Sequence, residues 1–270
     1  MDSELVKDKP VVRLRAYRAI DEPETSLKFI KGHEHVLTSI GVQKVTSSKN
    51  EWMENPAAFV LVVETMDGQR VLGGARVHVA GGSELLPIEQ ATGKFDPYIH
   101  DLVRGYAQQG TGEICGLWNS REISGYGIGC IFLIRAAVAI SEQIGIQSLF
   151  ALCAPYTIKP VVSCGMQLED SVGNKGTFYY PKLDLLATSM ILKDVPTLHK
   201  AEDDDREAIM KIRREADVIR IEELRRRQIE IHYQTTIPGL DSWDLKAAIA
   251  NTQKTAEEVT EFNEDDLEIF

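Results

Sequence analysis

The chain opens with a partial alternation of apolar and polar residues, VVRLRAYRA at 11–19, which predicts a short strand. Leu27, Ile30, Leu37 and Ile40 then recur at helical spacing, and Gly41 stands where a C-terminal glycine belongs, so a helix is expected over 23–40. AAFVLVVETM (57–66) reads as a buried strand. Asp67-Gly68 is a hairpin turn, and RVLGGARVHVA (70–80) is its second arm. After a loop over 81–94, Asp96 and Pro97 open a helix that ends near Gly110. TGEICGLW (111–118) predicts a strand, 128–144 an apolar helix closed by Gly145, and 146–154 another strand. A short helix over about 157–164 and an extended strand over 176–192 follow. The strand–helix–strand unit at 112–154 requires a parallel pair, whereas the hairpin requires an antiparallel one. The expected class is α/β with a mixed central sheet flanked by helices.

After Lys200 the pattern changes. EDDDREAIMKIRREADVIRIEELRRRQIEI (202–231) predicts one long charged helix, with Ile209, Ile212, Ala216 and Ile219 as a narrow apolar seam. Ile237-Pro238-Gly239 breaks it, and a second helix is expected over about 242–259. The expected division is a body over 1–195 and a helical acidic extension over 196–270. The seam would dock on the body, on a second copy, or on a protein partner recruited through 202–231.

Charge supports this division. The 270 residues carry a net charge of −11, and residues 201–270 hold 19 acidic against 10 basic side chains. Such a balance does not suggest a nucleic-acid partner, which would need a basic face. No apolar run is long enough to predict a membrane span. The polar, acidic N-terminus does not read as a signal peptide. Cys115, Cys130, Cys153 and Cys164 lie in apolar segments without paired spacing, as free thiols would in a reducing cytoplasm. His33 and His35 would point to different faces of their helix, so no metal site is expected.

The densest chemistry lies in GEICGLWNSREISGYGIGCIFLIRAAVAISEQIG (112–145). Gly125, Gly127 and Gly129 have neither the spacing of a dinucleotide fingerprint nor the lysine of a P-loop. They do sit between a strand and a helix N-terminus, where unsatisfied N–H groups carry partial positive charge. Glycines there let a phosphate approach closely, with Arg121 as the nearest added charge.

GYGIGCIFLIRAAVAISEQIG resembles the acetyl-coenzyme A loop and helix of the GNAT acyltransferase superfamily. Gly127 and Gly129 match its two glycines, and Ser124 stands where a Gln or Arg is usual. SLKFIKGHEHVL, VLGGARV and the Glu113 strand look most like the branch that makes N-acyl amino acids and acyl-homoserine lactones. The resemblance stops before about residue 195. In this sequence Gly116 stands where that branch commonly has an arginine, and Val161 where the usual tyrosine acid stands.

The resemblance implies transfer of an acyl group from an acyl thioester to an amine, possible acceptors including an amino acid. The donor would be acyl-CoA, often a long-chain one, or an acyl carrier protein, and no cofactor would be permanently bound. Leu117, Trp118, Asn119, Gly125, Tyr126, Gly127, Ile128 and Gly129 would hold the donor. Glu113 would take the amine's proton. Tyr179, with Tyr156 and Tyr180 as alternatives, would protonate the leaving thiolate. Arg76 and Arg104 would bind an acceptor carboxylate through their bidentate forks. The competing expectation is a catalytically degenerate GNAT-like module whose C-terminal arm recruits a partner or dimerises.

Overall fold

The computed structural model describes residues 9–42, 50–120, 129–182, 184–224 and 226–252. Ten strands form one mixed sheet: β1 (Val11–Arg18), β2 (Ala58–Glu64), β3 (Val71–Val79), β4 (Thr111–Asn119), β5 (Ser148–Cys153), β6 (Gln167–Leu168), β7 (Thr177–Tyr179), β8 (Leu186–Leu192), β9 (Asp217–Leu224) and β10 (Arg227–Gln234). The helices that accompany it include α1 (Pro23–Ser39), α2 (Pro87–Thr92), α3 (Tyr98–Ala107), α4 (Cys130–Ile144), α5 (Pro155–Ser163) and α6 (Asp203–Arg214).

The strand order is β6-β8-β5-β4-β3-β2-β1-β10-β9, with β7 also paired to β8. β4–β5 and β1–β10 are parallel, and the other pairs are antiparallel. One face of the sheet carries α1, α2 and α3, over cores that include Phe29, Trp52, Trp118, Ile88, Val103 and Phe150. The other carries α4, α5 and α6 over the largest core. α4 is apolar around much of its circumference because β2 and β3 lie below it and α5 and α6 beside it. Its alanines at 136, 137 and 139 let those neighbours approach closely. Each of Phe132, Leu133, Ile134 and Ile140 is fully buried, worth roughly 1.5–3 kcal/mol per side chain.

The C-terminal region departs from the expected long helix over 202–231. Only Asp203–Arg214 is helical. Asp203–Asp205 at its start and Lys211, Arg213 and Arg214 at its end match the helix dipole. Beyond Glu215 the apolar period becomes two, and the chain forms the β9–β10 hairpin. Ile229, Ile231 and Tyr233 alternate inward. Ile209 and Ile212 bury in the main core, but Ile219, placed on the same seam by helical counting, is 61% exposed on β9. β10 joins the sheet parallel to β1, from Val11 opposite Glu230 to Arg15 opposite Gln234, so the sheet continues past residue 195. The single strand expected over 176–192 is instead two antiparallel strands, β7 and β8. Of the helix expected over 242–259, residues 245–252 are helical and the remainder lies outside the described residues.

Candidate functional site

The site begins with an irregularity in β4. Gly74 pairs with Trp118 and Arg76 with Cys115, so Ala75 alone faces both Gly116 and Leu117. This is a β-bulge, and Gly116 takes the left-handed conformation it needs, with φ +56°. On its other side, β4 pairs with β5 only from Thr111 to Glu113. β4 then runs on to Asn119 and β5 to Cys153 without pairing to each other, and the sheet opens between them. The β4 edge that would continue the ladder is left facing a gap, beside the N-terminus of α4.

A cleft of about 880 Å³ fills this opening. Leu117, Trp118 and Asn119 line it together with Gly129, Cys130 and Ile131 at the start of α4. Tyr156, Thr157 and Lys159 line it from α5, Asp205 from α6, and Glu202 from the position just before α6. Glu223, Leu224 and Arg227 of the β9–β10 hairpin contribute a further wall, and Val36 of α1 a side. With its amide oriented to satisfy both neighbours, Asn119 accepts a hydrogen bond from the Cys130 N–H at 3.1 Å and donates to the Trp118 carbonyl. Its side chain thus caps α4. Arg135 pairs with the buried Asp205 at 2.6 Å, tying α4 to α6 along the wall. Leu224 lies so close to Gly129 that a Cβ at 129 would overlap its Cδ2.

The structure therefore brings Leu117, Trp118, Asn119 and Gly129 to one cleft. Gly125, Tyr126, Gly127 and Ile128, with Arg121 and Ser124, lie outside the described residues. Trp118 contributes little side-chain surface, being 4% exposed. Its indole packs edge-on to Phe29 at 5.8 Å and presses on Gly32 of α1, where a Cβ would overlap the ring.

Glu113 lies on the α2 face of the sheet, does not line the cleft, and is 2% exposed. Its carboxyl accepts the Ile88 N–H at 2.7 Å, at the start of α2. Burial pushes its pKa up to about 8; the hydrogen bond from Ile88 and the nearby charge of Arg76 oppose the rise, and Glu89 adds to it. Arg76 is wholly buried on the same face, with its guanidinium over the Trp52 ring at 4.3 Å and the Phe29 ring at 5.8 Å. Burial lowers its pKa, with Cys115, Glu113 and Glu84 as the compensating neighbours. His78 is buried beside it and held neutral by desolvation and by the Arg76 charge. Arg76 is thus an interior cation behind β4, sealed from the cleft.

Two candidates lie elsewhere. Arg104 pairs with Asp101 at 3.0 Å on α3. Tyr179 is 62% exposed on β7, on the far side of β8 from β5, and does not line the cleft. Among the described residues the tyrosine that does line it is Tyr156, near the start of α5, with its pKa raised by burial and then by Cys130. Lys159, Arg227 and Leu224 were not marked by any motif. The last two reach the cleft only because 217–234 is a hairpin. Burial pushes the thiols of Cys115 and Cys153 up to about 12, so both are protonated and poor nucleophiles. Among the described residues no group of three or more His, Cys, Asp or Glu side chains is placed to hold a metal ion. No helix among them is long and apolar enough to cross a membrane.

Comparison with protein-family models and with curated protein sequences finds no match. Comparison with solved structures finds many. FeeM, an N-acyl amino acid synthase from uncultured soil microbes, is similar at a TM-score of 0.52 and 13% identity, over 70% of this chain and 95% of that one. BjaI, a CoA-dependent acyl-homoserine lactone synthase solved with SAM and isopentyl-CoA, is similar at 0.52 and 12% identity, over 90% and 99%. BjaI with MTA gives 0.50 and 12%, over 89% and 98%. These likenesses concern the fold. The chain has a GNAT-like fold, a mixed central sheet flanked by helices.

Proposed function

We propose that this protein is an N-acyltransferase that moves an acyl group from an acyl thioester to an amine. The observation that carries the reading is the open seam between β4 and β5, beside a bulge and a helix N-terminus. An extended, amide-bearing arm such as pantetheine fits that seam, because it can complete the hydrogen-bonding edge that β4 presents. The thioester would then lie where the strands part. The start of α4, with Lys159 and Arg227 on the cleft walls, suits the anionic end of acyl-CoA. An acyl carrier protein presenting the same arm is the alternative donor, and an amino acid is a fitting acceptor.

In the reaction the amine nitrogen attacks the thioester carbonyl, the C–S bond breaks, and the thiolate leaves with a proton. Tyr156, already in the cleft, is better placed than Tyr179 to supply that proton. Glu113 is the candidate base for the ammonium proton, directly or through water. At neutral pH it is largely protonated while sealed beneath α2, so catalysis requires solvent or acceptor to reach it. Arg76 would act as a positioning cation for Glu113 rather than as an acceptor ligand.

The sealing of Glu113 favours a second reading, a degenerate module that keeps thioester binding and recruits a partner. Calorimetry with acetyl-CoA and a long-chain acyl-CoA, on the full chain and on Leu117→Trp, tests donor binding. Binding that the variant abolishes would put the donor in the cleft, as both readings require. A folded protein that binds neither ligand, nor an acyl carrier protein, overturns it. Amide product formed by the full chain and lost in Glu113→Gln separates enzyme from degenerate module.

A further inference from the structure

β9 ends the sheet order, and among the described residues no strand pairs with its outer edge. An edge of this kind offers a row of backbone donors and acceptors, and soluble proteins usually guard it with lysine, proline or a bulge. β9 has no lysine or proline, and it displays Ile219 and Ile221, 61% and 59% exposed. Its antiparallel partner β10 sets which side chains face which way. Val218, Arg220 and Glu222 stand opposite Tyr233, Ile231 and Ile229, all buried, so this row faces the helix layer that holds α6. Arg220 reaches Glu215 at 3.0 Å and the Lys211 carbonyl at 2.9 Å on that side. Glu222 accepts from the Tyr233 hydroxyl at 3.1 Å. Asp217, Ile219, Ile221 and Glu223 form the other row, facing away.

We propose that the outer edge of β9 pairs antiparallel with β9 of a second copy of this chain, about a two-fold axis through Ile221. The sequence DVIRIEEL is self-complementary in that register. Ile221 meets the partner's Ile221, Arg220 meets the partner's Glu222, and Val218 meets the partner's Leu224. Each cross-strand pair then joins opposite charges or apolar groups, except Ile219 against the partner's Glu223. Neighbouring registers do worse. An axis through Arg220 sets Arg220 against the partner's Arg220 and Asp217 against the partner's Glu223. An axis through Glu222 sets Glu222 against the partner's Glu222, and one through Ile219 leaves a shorter overlap. The charge pattern therefore selects one isologous pairing, which closes at two copies. The same hairpin carries Leu224 and Arg227 into the cleft, so the pairing braces that wall in both copies.

The test is the mass of the full chain by light scattering across a concentration series. The expected result is a dimer. Ile221→Lys sets two lysines against each other across the axis and yields a monomer with an unchanged melting temperature. Arg220→Glu and Glu222→Arg each raise the dimer dissociation constant by about tenfold or more, because like charges then face each other. The double variant Arg220→Glu/Glu222→Arg restores the pairing, although the contacts within each copy to Glu215 and Tyr233 stay lost. That recovery separates a cross-copy contact from damage to the hairpin. A wild-type monomer at every concentration overturns the proposal. So does a dimer that Ile221→Lys leaves intact, or a double variant no better than the single ones.

Discussion

The guanidinium of Arg76 lies against Gly116: a Cβ at position 116 would stand 3.0 Å from its Nε and 3.1 Å from its Nη2. The cation beside the β4 bulge thus comes from β3, and a glycine on β4 leaves it the space. This relationship also accounts for the missing arginine at 116, since a long side chain there would collide with the one already present.

Gly116→Ala is expected to destabilise the protein. It forces a Cβ into the left-handed region and against a guanidinium that Trp52 and Phe29 hold in place. The cost is about 1–3 kcal/mol, and Gly116→Arg should cost more. Urea unfolding measures both, and midpoints equal to wild type would refute the account.

Gly32→Ala tests the seat of Trp118. The added methyl overlaps the indole, so α1 must move away from β4 or the ring must turn. A loss of about 1–3 kcal/mol is expected, with a change in tryptophan fluorescence. Donor affinity should fall as well, because Trp118 and Asn119 line the cleft.

Glu113 makes stability depend on pH in a defined direction. Its folded-state pKa, about 8, lies above the ordinary 4.5, so the folded protein holds a proton that the unfolded chain has released. The stabilisation from the protonated, buried carboxyl is complete below about 4.5 and is lost as pH rises toward 8. Glu113→Gln keeps an acceptor for the Ile88 N–H and removes the titration. Relative to wild type it should gain on the order of a few kcal/mol between pH 4.5 and 8. Melting temperatures over that range measure the gain. Parallel pH curves for the two proteins would mean that Glu113 titrates normally.

Tyr156→Phe should lower the rate of acyl transfer by about a hundredfold while leaving donor affinity near wild type, as loss of a general acid does. Tyr179→Phe should leave the rate unchanged, because Tyr179 lies outside the cleft. Steady-state kinetics with a free amine acceptor distinguish the two, and the reverse ranking would return the role to Tyr179.

Local pattern alone determined much of this protein. The period of 3.6 in 23–40 and the turn at Asp67-Gly68 correspond to α1 and the β2–β3 hairpin. So does the strand–helix–strand order at 112–154, in β4, α4 and β5. Apolar spacing and glycine placement are short-range signals, and they also carried the resemblance to the GNAT superfamily. Leu117, Trp118, Asn119 and Gly129 were legible for the same reason, since they flank a strand end and a helix start.

Only the tertiary structure decided the rest. In 215–234, dense charge masks a period of two, and helical counting catches Ile219 by coincidence. The parallel pairing of β10 with β1, more than two hundred residues apart, makes that segment a hairpin and brings Leu224 and Arg227 to the cleft. Which tyrosine faces the cleft depends on α5 packing beside α4, not on any spacing in the chain. Whether Arg76 is a surface ligand or an interior cation depends on α1 and Trp52 covering it. Such facts follow from how distant segments exclude water together, which no short window of sequence records.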